Sequence, residues 1–124
     1  MKHHPLIALV AAMTMNSSVP AQERVPVQDA RQLMLAAIDA PDGQARGVLV
    51  GEIADAITQH FKATTPIYID VSTERRYAQA GCSRLKVRFW QGGVQLPGVP
   101  APHRQTVDLG INYCHDGQPP RSLS

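Results

Sequence analysis

The two cysteines, Cys82 and Cys114, constrain this chain more than any other feature, because the antiparallel register that joins them also matches the runs between them, although two alternating runs can be slid into other matching registers. The first run is Arg84-Leu85-Lys86-Val87-Arg88-Phe89-Trp90, and the second is Thr106-Val107-Asp108-Leu109-Gly110-Ile111-Asn112-Tyr113. Successive side chains of a strand point to opposite faces, so alternation of this kind predicts half-buried strands. An antiparallel pairing with Cys82 opposite Cys114 sets Leu85 against Ile111, Val87 against Leu109 and Phe89 against Val107, and sets Arg88 against Asp108. That register joins the cysteines, gathers the large apolar residues on one face and forms a charge pair on the other. A slip of one residue breaks all three agreements. A disulfide closing a loop of this size contributes roughly 3–4 kcal/mol in the chain-entropy account, a large share of a small domain's stability.

The start of the chain reads differently. Met1-Lys2-His3-His4 is basic, Leu6 to Met15 is apolar, and Val19-Pro20-Ala21 supplies residues that a signal peptidase accepts. This pattern predicts a signal peptide over residues 1–21, cleaved between Ala21 and Gln22. The apolar run is too short for a stable bilayer anchor. The expectation is a periplasmic or secreted protein of one small domain, residues 22–124, with no transmembrane segment in the mature chain. In such a compartment two cysteines favour a disulfide over a metal site or a catalytic thiol.

Charge divides the mature chain in two. Residues 22–74 carry Arg24, Arg31, Arg46 and Lys62 against eight acidic residues, a net of −4. From Arg75 onward seven basic residues face only Asp108 and Asp116, a net of +5. Asymmetry of this kind bears on partners rather than on fold.

Apolar spacing predicts a helix over Val27 to Ala40, ended by Pro41-Asp42-Gly43, and a second over Gln44 to Phe61. In the second, Gly47 and Gly51 lie one turn apart, where they would let the helices approach closely. Glu23 to Pro26 reads as a loose terminus. Ile67 to Val71 alternates as a third strand, and Ser72 to Ala80 reads either as its extension or as a helical turn. Residues 92–102 form a long connection rich in glycine and proline. The expected fold class is α+β: two N-terminal helices packed on a small antiparallel sheet of about three strands, with one disulfide.

No pattern of catalytic residues appears. His60, His103 and His115 lack metal-ligand spacing, Ser83 sits in no nucleophile elbow, and there is no phosphate-binding glycine loop. No enzyme, metal or cofactor is expected. What stands out is a basic stripe of Arg84, Lys86 and Arg88 on one side of a strand, continued by Trp90. It reads either as a solvated outer face or as a surface for an acidic protein, an anionic membrane or nucleic acid. Nucleic acid is disfavoured, since one short stripe is a weak signal and the compartment is wrong for most of it. Trp90 either caps the core edge or anchors an interface.

Tyr77 to Pro120 carries Gly81-Cys82, Arg84-Leu85, Phe89-Trp90-Gln91, Leu96-Pro97-Gly98 and Asn112-Tyr113-Cys114 before Asp116-Gly117 and Pro119-Pro120. In these motifs it resembles small exported proteins encoded beside conjugative type IV secretion genes in bacteria. The resemblance covers the last third of the chain and carries over no catalytic or binding residue. It implies a periplasmic accessory of a DNA-transfer apparatus that acts by contact. The leading expectation is therefore a non-enzymatic interaction protein that meets a protein partner in the cell envelope through Arg84, Lys86, Arg88 and Trp90. The alternative is a small inhibitor or toxin-like effector that inserts loop 92–102 into a target, with the disulfide holding the loop's base rigid.

Overall fold

The computed structural model describes residues 23–124 and His3. The signal-peptide reading of residues 1–21, with its cleavage site, lies outside these residues. The elements are β1 (Val25–Val27), α1 (Arg31–Asp39), β2 (Gln44–Leu49), α2 (Glu52–His60), β3 (Ile67–Arg76), β4 (Cys82–Val94) and β5 (His103–Cys114). The strands form one five-stranded mixed sheet in sequence order. β1 and β2 are parallel, joined by α1, and every other neighbour pair is antiparallel.

The β4–β5 register is the one the cysteines predict. Cys82 pairs with Cys114, Leu85 with Ile111, Val87 with Leu109, Arg88 with Asp108 and Phe89 with Val107. The disulfide joins Cys82 to Cys114 with the Cα atoms 4.0 Å apart, and both residues are buried.

The expected arrangement of two N-terminal helices on a three-stranded antiparallel sheet is overturned. The first predicted helix, Val27 to Ala40, is reduced to α1, and its first residue, Val27, instead ends strand β1. The second is split into β2 and α2 at Gly51, whose φ of 119° is a conformation that side-chain-bearing residues rarely adopt. The inward residues of β2 are Ala45, Gly47 and Leu49, and the first two are too small to announce a strand by alternation. Gly47 does not serve a helix pair. A Cβ there would lie 2.6 Å from Leu33 Cδ1 and 2.8 Å from Val25 O, because α1 presses directly on the β2 backbone. Ser72 to Arg76 extends β3, and β4 runs on to Val94, which shortens the following loop to 95–102. Glu23 to Pro26 is not loose, since β1 begins at Val25.

The core lies between α1 and the inner face of the sheet. Leu33, Met34, Ala37 and Ile38 of α1 pack on Val27, Ile69, Val71, Leu85 and Val87. The Asp29 carboxylate accepts the Arg31 backbone N–H at 2.8 Å and so satisfies a donor of the first turn. α2 is tethered to the sheet by the buried Gln91, whose amide donates to Thr58 Oγ1 at 2.8 Å and to Thr65 O at 3.0 Å. Beyond the reach of α1 the inner face stays open. There Phe89, Val107, Ile57, Phe61 and Leu96 line an apolar groove of about 470 Å³.

The position of Gly47 gives a direct check on the strand assignment. Gly47→Ala in a helix would stabilise by roughly 1 kcal/mol, but in this fold the added methyl meets backbone and Leu33. The expected outcome in urea unfolding is a loss of about 1–3 kcal/mol, and a gain in stability would contradict β2.

Candidate functional site

The outer face of the sheet is built from alternate residues of four strands, and its side chains form rows across them. Arg46 of β2 lies beside Asp70 of β3, Asp70 beside Arg88 of β4, and Arg88 beside Asp108 of β5. The row therefore alternates in sign across the sheet, which is the favourable arrangement for cross-strand neighbours. The next row is Val48, Tyr68, Trp90 and Thr106, and on the other side lie Gln44, Ser72, Lys86 and Gly110.

Within the charged row Arg88 binds Asp108 through two parallel hydrogen bonds. Nε donates to Oδ1 at 2.7 Å and Nη2 to Oδ2 at 2.9 Å. Lys86 Nζ stands 3.8 Å from the same carboxylate. Asp70 receives Arg24 Nη1 at 2.8 Å on one oxygen and Trp90 Nε1 at 2.8 Å on the other. Arg24 also donates to Gly47 O at 3.1 Å, so the residue before β1 reaches across β2 to the middle of the sheet.

The aromatic row is clamped by cations. The Tyr68 and Trp90 ring centroids are 4.4 Å apart. The Arg24 guanidinium lies 4.5 Å from the Tyr68 centroid, and that of Arg104 lies 3.9 Å from Trp90. Both distances are within cation–π range. At the opposite end of the face Tyr77 donates to Asn112 Oδ1 at 2.7 Å, Arg84 Nη1 donates to the same oxygen at 3.3 Å, and the Arg84 guanidinium lies over Gly110. A Cβ at Gly110 would meet this guanidinium, so a larger residue there would require the Arg84 side chain to move.

The two carboxylates titrate low for identifiable reasons. Partial burial pushes the Asp70 pKa up, but the hydrogen bonds from Arg24 and Trp90, with the nearby charges of Arg24 and Arg46, outweigh it and hold the group below its ordinary value. Asp108 is lowered first by its hydrogen bonds from Arg88, against a smaller effect of desolvation. A depressed folded-state pKa stabilises the fold above the unfolded value, and that contribution is lost as pH falls through the folded one.

The four residues singled out from the sequence, Arg84, Lys86, Arg88 and Trp90, lie side by side on this face. Trp90 points outward, half-buried against Tyr68, and so does not cap the inner core. Arg24, Arg46, Tyr68, Asp70 and Arg104 complete the face and were missed. Tyr68 and Asp70 alternate with Ile67, Ile69 and Val71, a signal that was available. Arg24 and Arg46 depend on pairings with β1 and β2 that no local pattern reveals. Loop 95–102 is anchored by Gln95 N donating to Phe61 O at 2.9 Å, while the disulfide closes the opposite end of the hairpin. The bridge thus does not hold the base of this loop.

Elsewhere His115 Nε2 lies 2.9 Å from Asp39 Oδ2 at the surface. Among the described residues no group of three or more His, Cys, Asp or Glu converges as a metal site, and no helix is long and apolar enough to cross a membrane. Neither protein-family models, curated proteins nor solved structures yield a match to this chain.

Asp70 is the joint between the ionic and aromatic rows, and Trp90, the single tryptophan, reports on it. Asp70→Asn is expected to cost about 1–2 kcal/mol at neutral pH, since two charge-assisted hydrogen bonds weaken at a partly exposed site. In the native protein, acid titration of Trp90 fluorescence should show a transition below the ordinary aspartate range, and Asp70→Asn should remove it. A transition centred at about 3.9, the value of an unperturbed aspartate, would contradict these bonds.

Proposed function

We propose that this is a non-enzymatic, periplasmic interaction protein that binds an acidic protein surface of the cell envelope through its outer sheet face. Arg84, Lys86, Arg88 and Trp90 form the centre of that surface, and Arg46 and Arg104 extend it. The observation that carries this reading is the imbalance of charge on a rigid platform. In the rows described above Arg24, Arg46, Arg84, Lys86, Arg88 and Arg104 outnumber the carboxylates Asp70 and Asp108, and Arg46, Arg84 and Arg104 make no ion pair among the described residues. Side chains already held by stacking and cross-strand bonds lose little freedom on binding. Tryptophan and arginine are also the residues most enriched where binding energy concentrates.

A protein partner fits this face better than a nucleic acid. The two carboxylates sit inside the basic field, where they would repel a run of phosphates but match a protein surface of mixed charge. The resemblance of Tyr77 to Pro120 to small exported proteins encoded beside conjugative type IV secretion genes narrows the expected assembly to such an apparatus.

The test uses substitutions that leave the internal ion pairs intact. Arg46→Gln with Arg104→Gln is expected to preserve the fold by circular dichroism. The same double substitution is expected to weaken capture of the envelope partner by at least about tenfold, mostly through a slower association rate. Capture from envelope extracts that is equally strong for both versions and insensitive to salt would overturn this reading.

A further inference from the structure

The two edges of the sheet are built differently. β1 is three residues long and contains Pro26, which suits an edge protected from further pairing. β5 runs over twelve residues, and its outer side faces no other strand among the described residues. It holds no lysine or proline, and its one carboxylate, Asp108, is already occupied by Arg88 and Lys86.

Which backbone groups this edge offers follows from the disulfide end. Cys82 N donates to Gln79 O and Cys114 N to Gln118 O, while His115 N donates to Gly81 O. The Cys82–Cys114 pair is therefore a non-hydrogen-bonded one, and the pattern alternates along the strands. Thr106, Asp108, Gly110 and Asn112 accordingly turn their N–H and C=O groups to the free edge. On the inner face of the same strand Val107 and Leu109 remain 56% and 47% exposed, large values for apolar side chains beside a core.

We propose that β5 pairs antiparallel with β5 of a second copy, about a two-fold axis at Leu109, to form one sheet through both molecules. The register is set by the residues. Leu109 meets Leu109 of the other copy, Val107 meets Ile111, and Thr106 meets Asn112. Asp108 falls opposite Gly110, so no like charges face one another and the Arg88 pair survives. All the outward backbone groups named above fall in hydrogen-bonded pairs.

The inner face supports the same arrangement. α1 contacts β5 and packs with Ile111 and Tyr113, while the groove lies at the Gln105–Val107 end of the strand. A two-fold axis at Leu109 exchanges these ends, so the covered part of each copy stands beside the open groove of the other. A closed, self-complementary contact of this kind ends with the dimer and leaves no long edge exposed.

The experiment is sedimentation equilibrium of the purified protein over a wide concentration range, with Leu109→Lys beside it. The native protein should be a dimer, and Leu109→Lys a folded monomer at the same concentrations. The dissociation constant should rise by roughly 100-fold or more, because the symmetry counts each substitution twice. Leu109→Cys then tests the register without relying on loss. It should form an intermolecular disulfide on mild oxidation, whereas Val107→Cys, opposite Ile111, should not. A native protein that stays monomeric throughout would overturn the proposal, leaving the edge to the strand of a different chain. A dimer unaffected by Leu109→Lys, or cross-linking at position 107 instead of 109, would overturn it too.

Discussion

The pairing of β4 with β5 is the constraint on which the remainder of the structure depends. β4 is the longest strand and has neighbours on both sides. Its register fixes which of its residues face α1 and which face outward. A shift of one residue would place Arg84, Lys86 and Arg88 against Leu33 and Met34 and turn Leu85 and Val87 to water. The Cys82–Cys114 bridge, the apolar inner pairs and the Arg88–Asp108 pair all specify the same alignment, and this redundancy marks a sequence committed to one structure. Once β4 is fixed, β3 brings Tyr68 beside Trp90 and Asp70 beside Arg88. β2 then adds Arg46 at the end of the row.

That dependence explains what could be read from the sequence. β4, β5 and the first half of β3 were legible because their inner positions hold Leu, Ile, Val and Phe in strict alternation. β2 was not, because its inner positions include Ala45 and Gly47, kept small by the close approach of Leu33. The apolar residues Val50, Ile53, Ala54, Ile57 and Phe61, with Leu49 alongside, then look like one helical stripe running through Gly51. In the fold Leu49 belongs to a strand, and Ile53 is 76% exposed. β1 is too short to carry any period. The site shows the same division. The stripe on β4 follows from its own alternation, whereas Arg24 and Arg46 reach the face only through the pairings of β1 with β2 and of β2 with β3.

The outer face binds much of its own charge. Asp70 and Asp108 each hold cations in place, so Arg24 and Arg88 present defined geometry rather than flexible charge. Exposed ion pairs of this sort contribute little to stability singly, and their main effect is to orient Trp90, Lys86 and Arg88. The unpaired Arg46, Arg84 and Arg104 then supply a net positive potential, and in the proposed function it is this potential that would draw an acidic surface toward the sheet. Apolar contact is concentrated on the opposite side, at the groove and the β5 edge, so the molecule separates an electrostatic surface from a hydrophobic one.

The claim that the outer face is the contact surface is tested most directly by site-specific photocrosslinking in the native envelope. A photoreactive side chain would be placed at Arg104, beside Trp90, and separately at Ile53, exposed on α2 in the other layer. The account predicts a discrete adduct with an envelope protein from position 104 and none from position 53. Adducts from position 53 alone, or none from position 104 under conditions where the protein is folded and exported, would contradict it.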